Sequence, residues 1–353
     1  MASYKWIIPG VLATSRMPTM SEVSELASLF KSIVILAEDH ELWYNPDLLE
    51  GMGVRVFHKP IPDYTAPNII DLHELVEYID VCEKPTLVHC TGGRGRSGTI
   101  AVAYLMFSQG LSYREALYRA RSIEPRFVET PLQHRVLRLY DMLLKTTPRK
   151  LLSRAIEIGR NTPLAHGGVL FGRGVGHAGR VLELCIELVE GFRETGLMDL
   201  SVENERALYT AAILHDIGVS LLKPGEPDDK HREYSYELIM KHSRELDEAC
   251  GCSVGVKAAL IARLHGGEDP IPPNLDYGTL AAIGFLRIAD GLDYTLNQVV
   301  LGLEVEKSSE GACIKIYCDE RKPGCAWIIE KANVKKQLME STLKRRITIE
   351  ISA

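Results

Sequence analysis

Two sets of residues in this 353-residue chain have the types and spacing that chemistry needs. The first is the stretch Val88-His89-Cys90-Thr91-Gly92-Gly93-Arg94-Gly95-Arg96-Ser97-Gly98. An apolar run leads into it and a helix-patterned run leads out. Consecutive backbone N–H groups in a glycine-rich turn form an anion-binding nest. The N-terminus of the following helix adds partial positive charge, and Arg96 offers phosphate oxygens a two-pronged contact. The same fields favour a thiolate, which would make Cys90 the nucleophile facing a bound phosphate. Thr91, Gly92, Gly93, Arg94 and Gly95 are then the phosphate-binding loop. Arg94 adds a second cation, either to favour a multiply phosphorylated substrate or simply to face solvent.

The second set is His177, the doublet His215-Asp216, and Asp290, each on a separate helix-patterned segment. Imidazoles and carboxylates converging from different helices make a site for a hard or borderline divalent cation. Further along the helical half lie His231, His242 and His265, with His242 eleven residues after His231 and so on a similar helix face. Cys250-x-Cys252 and Cys313, Cys318 and Cys325 match no common zinc spacing and read as incidental thiols. Cys82 would trap oxidised Cys90 if the two lie close together.

Stepping outward, the elements that must position these residues fall into three blocks. In the first, Thr19-x-x-Glu22 is a capping box opening a helix over 20–31. Strands are predicted at 32–37, 54–58 and 86–89, and a helix at 69–82. A second capping box, Ser112-x-x-Glu115, opens another helix, and residues 132–144 form the last. Such alternation predicts an α/β domain with a mostly parallel sheet, and puts Cys90 at a strand's carboxyl end, where these sheets bind ligands. The polar stretch 145–150 with Pro148 reads as a linker. Helical periodicity then dominates at 177–192, 204–215, 231–250, 255–264 and 280–292. Strand patterns at 301–307, 313–318 and 346–351 flank a helix at 327–343. The expected domains are 1–148 (α/β), 149–299 (all-α) and 300–353 (a small ββαβ subdomain).

Composition narrows the function classes. An apolar content of 46% and a charged content of 25% fit a soluble globular protein. A formal charge of −6 gives no reason to expect nucleic acid or a membrane surface as partner. No apolar run reaches the roughly 18–20 residues that span a bilayer. The start MASYKWIIPG lacks a signal-peptide pattern, so a cytoplasmic location with reduced thiols is expected.

The motif His89-Cys90 with its glycines, Arg96 and Ser97 has the form HCxxGxxRS, and over residues 1–148 the chain resembles the protein tyrosine and dual-specificity phosphatases. The resemblance implies that Cys90 forms a phosphocysteine while Arg96 and the loop amides hold the phosphoryl oxygens. Ser97 would hydrogen-bond the sulfur and His89 would fix the loop. Asp63, in Pro60-Ile61-Pro62-Asp63-Tyr64, matches the family's general acid, and Asp71 is the poorer candidate because it falls inside a helix pattern. Gln133 sits where the family carries a glutamine that positions water.

The doublet in Leu214-His215-Asp216-Ile217-Gly218 resembles the HD-domain metal-dependent phosphohydrolases over residues 160–295. That implies a divalent metal (Mn, Mg, Fe, Co, Ni or Zn) at His177, His215, Asp216 and Asp290. In two-metal members His231 and His265 add ligands, Asp216 bridges, and the metals activate water against phosphorus. Residues 177–181, 236–239, 262–265, 287–293 and the tail are similar to the C-terminal part of exopolyphosphatases and guanosine pentaphosphate phosphatases. Their ATPase-like domain has no counterpart in these residues, whereas the metal set is complete. That weighs against polyphosphate and toward independent metal-dependent hydrolysis.

The expectation is therefore a bifunctional phosphohydrolase acting on a phosphoprotein, inositol phosphate or nucleotide, with self-association left open. In a competing reading the HD half is a non-catalytic metal- or nucleotide-binding regulator. In a third the chain is a phospho-ligand adaptor without turnover.

Overall fold

A computed structural model describes residues 3–162, 171–267 and 270–352. It divides into two compact units, Met1–Asp141 and Met142–Ala353.

The first unit runs β1 (Tyr4–Ile8), β2 (Leu12–Ser15), α1 (Met20–Leu29), β3 (Ser32–Ile35), α2 (Asp47–Gly51), β4 (Arg55–His58), α3 (Ile69–Val81), β5 (Thr86–His89), α4 (Gly95–Gln109), α5 (Tyr113–Ile123) and α6 (Pro131–Thr146). Its strands form one sheet in the order β1-β2-β5-β3-β4. Four of them are parallel, and β1 adds antiparallel to β2 at one edge. Strands β2, β3 and β5 are buried on both faces, as the continuous apolar runs Ile33-Val34-Ile35 and Leu87-Val88 require of interior strands. Both predicted capping boxes are present, at Thr19/Glu22 opening α1 and at Ser112/Glu115 opening α5. One core gathers Met17, Leu26, Phe30, Ile33 and Leu87, with Tyr4 and Trp6 ringing Phe30 at 5.2 and 5.7 Å.

The second unit contains α7 (Arg149–Arg160), α8 (Val175–Glu194), α9 (Val202–Leu214), α10 (His231–Lys241), α11 (Ser243–Cys250), α12 (Gly255–Arg263), α13 (Tyr277–Gly291), β6 (Val300–Lys307), β7 (Gly311–Cys318), α14 (Cys325–Lys335), α15 (Gln337–Leu343) and β8 (Arg346–Ile351). Helices α9 and α13 are buried almost all round, so they are the axis on which the others pack. The small sheet has the order β6-β7-β8, with β6 antiparallel and β8 parallel to β7.

Four sequence expectations change. The stretch 145–150 is a junction of two helices, with only Thr147 and Pro148 outside α6 and α7. The helix expected over 231–250 breaks at His242, and that over 327–343 breaks at Lys336. Cys318 and Cys325 are not free thiols: they form a disulfide with Cα atoms 6.3 Å apart. Among the described residues no helix is long and apolar enough to cross a membrane.

Candidate active sites

The first site lies where β5 ends and α4 begins. Thr91 O accepts from Met17 N, and His89 O accepts from Leu36 N, so the ends of β2 and β3 hold the loop between them. Gly93 has φ +71, and a Cβ there would come within 2.5 Å of Arg16 N, so only glycine fits. Gly93 N–H donates to Cys90 Sγ at 3.2 Å, the first amide of the expected nest. Cys90 and Arg96 are both buried.

Arg96 is heavily engaged. Its two terminal nitrogens donate to the two carboxylate oxygens of Glu41 at 2.7 and 2.8 Å. They also donate to Ile61 O at 2.8 Å and Thr91 Oγ1 at 3.0 Å. Asp63 Oδ1 lies 3.0 Å from the same guanidinium. Arg96 Nε and Ser97 Oγ, by contrast, are buried with no hydrogen-bond partner among the described residues. Arg96 holds the Glu41 carboxyl down at about 2, with the Thr91 hydroxyl as a further donor.

The remaining candidates divide. Asp63 is half-exposed on its loop, accepts from Tyr64 N–H, and faces Arg96. Gln133 is buried and ties that loop to the start of α6: its Nε2 donates to Thr65 O at 3.0 Å, and its Oε1 accepts from Glu129 N at 2.8 Å. Asp71 is committed elsewhere, to an ion pair with Lys59. His89 is fully buried, its Nε2 paired with Tyr44 OH at 2.6 Å. Burial lowers its pKa to about 4, so the ring is neutral. Arg94 has no ion-pair partner among the described residues. Cys82 is bonded to Thr86 at the opposite end of β5, on the order of 10 Å along the strand from Cys90, so the two do not pair.

The second site is built around Asp216. Two triads, His177–His215–Asp216 and Asp216–His231–His265, each have their ligand atoms within 4.8 Å of one another and share the carboxylate. Every imidazole is tied through Nδ1: His177 to Asp293 Oδ2 at 2.9 Å, His215 to Ala212 O at 3.0 Å, His265 to Ala262 O at 2.6 Å, and His231 to Asp228 O. Those bonds fix each ring so that Nε2 turns inward, the orienting arrangement that metal-bound histidines use. His231 Nε2 lies 3.0 Å from Asp216 Oδ1, and His177 Nε2 lies 3.5 Å from Oδ2. Asp290 Oδ1 completes the ring, 3.4 Å from His177 Nε2 and 3.8 Å from His215 Nε2. Although nitrogens stand this close, neither Asp216 oxygen is in hydrogen-bond alignment with a donor among the described residues.

That geometry fits a divalent cation. Burial alone would raise the Asp216 carboxyl, but His215, His231 and His177 together hold it well below its usual range. Four inward imidazole nitrogens and two buried carboxylates meeting in one ring are the donor set that a hard or borderline divalent cation takes. His242 is outside the cluster, half-buried and facing Glu245 at 3.2 Å. Cys250 and Cys252 lie beside Arg206, and Cys313 is on β7, so none joins a metal group.

Sequence reasoning missed four participants. Glu41 sits in a three-residue 3-10 turn, Asp39–Glu41, with no pattern to mark it. Asp293, one helical turn past Asp290, had a readable signal in its spacing. Arg173 pairs with Asp216 at 3.1 Å and Asp228 at 2.6 Å, and Lys335 pairs with the outer oxygen of Asp290. Neither basic residue stands in a recognisable motif.

Comparison with known proteins finds two domains in the chain. Residues 1–141 match the model of the Swiss Army Knife protein DSP-PTPase phosphatase domain, and residues 174–316 match that of the HD domain. Phosphatidylglycerophosphate phosphatase PTPMT2 of Arabidopsis thaliana is 29% identical over 149 residues, covering 40% of this chain and 65% of its own length. Cyclin-dependent kinase inhibitor 3 of Sus scrofa is 31% identical over 118 residues, covering 31% of this chain and 56% of its own length. The chain thus spans less than two thirds of either curated relative. The crystal structure of Tk-PTP in the active form is 46% identical, covering 39% of this chain and 96% of its own, with a TM-score of 0.39.

Proposed function

Because this chain belongs to the dual-specificity-type protein tyrosine phosphatases through residues 1–141 and carries an HD domain over residues 174–316, we propose that it is a bifunctional phosphohydrolase. The observation that carries this reading is that two chemically unrelated sites are each complete in one unit of the chain. One has Cys90 in its nest beside Arg96, and the other has four imidazoles about Asp216.

At the first site Cys90 Sγ attacks the phosphorus of a phosphomonoester and forms an S–P bond as the P–O bond to the leaving alcohol breaks. Asp63 gives that oxygen its proton. Arg96 Nε and the loop amides from Thr91 to Arg96 take up the charge on the phosphoryl oxygens, which supplies the partners that the buried Nε lacks. Glu41 keeps the guanidinium planar to the loop by its bidentate contact. Water then attacks the phosphocysteine, forming a P–O bond as the S–P bond breaks and giving its proton to the Asp63 carboxylate, while Ser97 Oγ donates to the departing sulfur. Gln133 holds the Asp63 loop against α6 through Thr65. The curated relatives are named as a phosphatidylglycerophosphate phosphatase and a cyclin-dependent kinase inhibitor, and the substrate class proposed is the phosphomonoester of a protein or a lipid.

At the second site His177, His215, Asp216 and Asp290 would hold one divalent metal, and Asp216, His231 and His265 would hold a second. When bound, such metals would supply Lewis acidity and an activated water for phosphoester hydrolysis. The chain's own residues fix the geometry: Asp293, Ala212, Asp228 and Ala262 hold the rings, Lys335 holds the outer oxygen of Asp290, and Arg173 stands 3.1 Å from the Asp216 oxygen that faces His177 and His215.

A broad phosphoester screen on the full chain, with vanadate or with a chelator, tests both halves. Cys90→Ser should abolish the vanadate-sensitive, chelator-resistant activity and spare the other. The double change His215→Ala with Asp216→Ala should do the reverse. Loss of one and the same activity in both variants would disprove two independent sites, and bound Mn²⁺ without turnover dependent on His215 would make the HD half a regulator.

A further inference from the structure

The second site opens into a cavity of about 610 Å³, lined at its base by Asp216, His231, His265 and Asp290. That is within the ~300–1,000 Å³ range of small-molecule pockets and far exceeds one phosphoryl group. Its wall combines Arg173, Asp228 and Arg232 with α14, which belongs to the C-terminal αβ region and presents Lys331, Val334 and Lys335 to the cavity.

Two glycines allow this approach. A Cβ at Gly291 would lie 3.0 Å from Ala332 Cα and 3.3 Å from Lys335 Cδ, and one at Gly267 would lie 3.4 Å from Lys335 Cγ. The Lys335 stem thus passes between two bare backbones, and its ammonium reaches the Asp290 oxygen that faces away from the imidazoles. Lys331 precedes it by four residues, hence on the same helix face and about 6 Å further out.

The cations of the cavity are not equivalent. Arg173 is paired with Asp216 and Asp228, Arg232 with Asp229 at 3.4 Å, and Lys335 with Asp290. Lys331 has no carboxylate partner among the described residues. It rests over the rings of Tyr294 and Trp327, at 4.7 and 5.3 Å from their centroids. Cation–π contact positions an ammonium without neutralising it. Lys331 is therefore a placed, uncompensated charge at the rim of a phosphohydrolase pocket.

From this geometry, and resting on the metal-site reading above, we propose that α14 is the substrate-binding wall of the HD site. Lys331 takes a second anionic group of a small, multiply phosphorylated molecule whose first phosphoryl group lies at the metals. Lys335 is a positioning residue that holds Asp290 so that a single oxygen faces inward.

The test uses the full chain in an Arg96→Ala background, which silences anion binding at the first site. Mn²⁺ stoichiometry is measured first, by dialysis. Calorimetry then follows methylphosphonate, methylenebisphosphonate and propane-1,3-bisphosphonate binding to the Mn²⁺-loaded protein; their C–P bonds resist hydrolysis. One or both bisphosphonates should bind at least about tenfold more tightly than methylphosphonate, the worth of one charge-assisted contact. Lys331→Ala should erase that margin while leaving Mn²⁺ stoichiometry and methylphosphonate affinity unchanged, and Lys331→Arg should retain it. Which bisphosphonate gains more tells a diphosphate from two separated phosphates. Normal Mn²⁺ binding with bisphosphonate affinity indifferent to Lys331, or with all three probes weakened alike, overturns the inference alone. No Mn²⁺ binding by the parent protein overturns the metal-site reading and the inference with it.

Discussion

At Arg96, five contacts converge on one guanidinium, and the carboxylate of Glu41 accounts for two of them. Glu41→Gln keeps the shape but loses the charge and one acceptor. The expected result is a fall of about ten- to hundredfold in kcat/KM for p-nitrophenyl phosphate, from a charge-assisted pair worth roughly 1.5–3 kcal/mol. Steady-state kinetics with an unchanged melting temperature would check it, and an unaltered kcat/KM would remove Glu41 from the site. His89 makes a separate prediction about acid stability. The unfolded chain protonates this imidazole near its ordinary 6.5, whereas burial holds the folded ring at about 4. Between those values the unfolded state binds the extra proton, so the stability present above pH 6.5 is lost as the pH falls toward 4. The gap corresponds to about 3 kcal/mol. Urea midpoints at pH 7 and pH 5 should therefore differ more in the wild type than in a His89→Asn variant, which has no ring to protonate. Equal differences would show that the ring titrates alike in both states.

The elements that carry the sites differ in how far the sequence announces them. Capping boxes, buried strands such as Ile33-Val34-Ile35, and the turn from β5 into α4 are local signals, and they put Cys90 and Arg96 between the end of that strand and the start of that helix. The spacing of His177, His215-Asp216 and Asp290 was legible because His177 and Asp290 fall on buried faces of α8 and α13 and the doublet directly follows the buried helix α9. Strand β1 was not, since a half-exposed five-residue edge strand gains its identity only from the partner it pairs with, and β2 is only four residues long, with the polar Thr14 and Ser15 in its buried run. Glu41 and Lys335 were illegible for the same reason: each acquires meaning from a residue far away in the chain, Arg96 and Asp290. Packing between elements also yields a prediction at Gly218, in the 3-10 turn Ile217–Leu221 that follows the His-Asp doublet. A Cβ there would come within 2.1 Å of His231 O and 2.3 Å of Ser235 N, both on the backbone of α10. Gly218→Ala must push α10 outward and carry His231 with it. The expected outcome is a loss of about 1–3 kcal/mol in stability together with fewer Mn²⁺ ions bound per chain. A variant that folds with full Mn²⁺ stoichiometry would show that α10 does not set the position of His231.

Over the whole molecule, the division into Met1–Asp141 and Met142–Ala353 gives each unit its own apolar core and its own candidate site. A ligand that binds one folded unit stabilises that unit by mass action, by about 2.7 kcal/mol at a hundred times its dissociation constant. For a unit of about 200 residues each kcal/mol moves the midpoint by roughly 2–4 °C, so a shift of about 5–11 °C is expected. Calorimetric melting of the full chain should then resolve two transitions that answer to different ligands. Mn²⁺ should raise one of them in the wild type and in Cys90→Ser, and raise neither in His215→Ala. Vanadate should raise the other in the wild type and in His215→Ala, and raise neither in Arg96→Ala. A single transition moved by both ligands would mean that the two sites share one cooperative unit. The two chemistries would then be coupled through folding instead of merely carried on one chain.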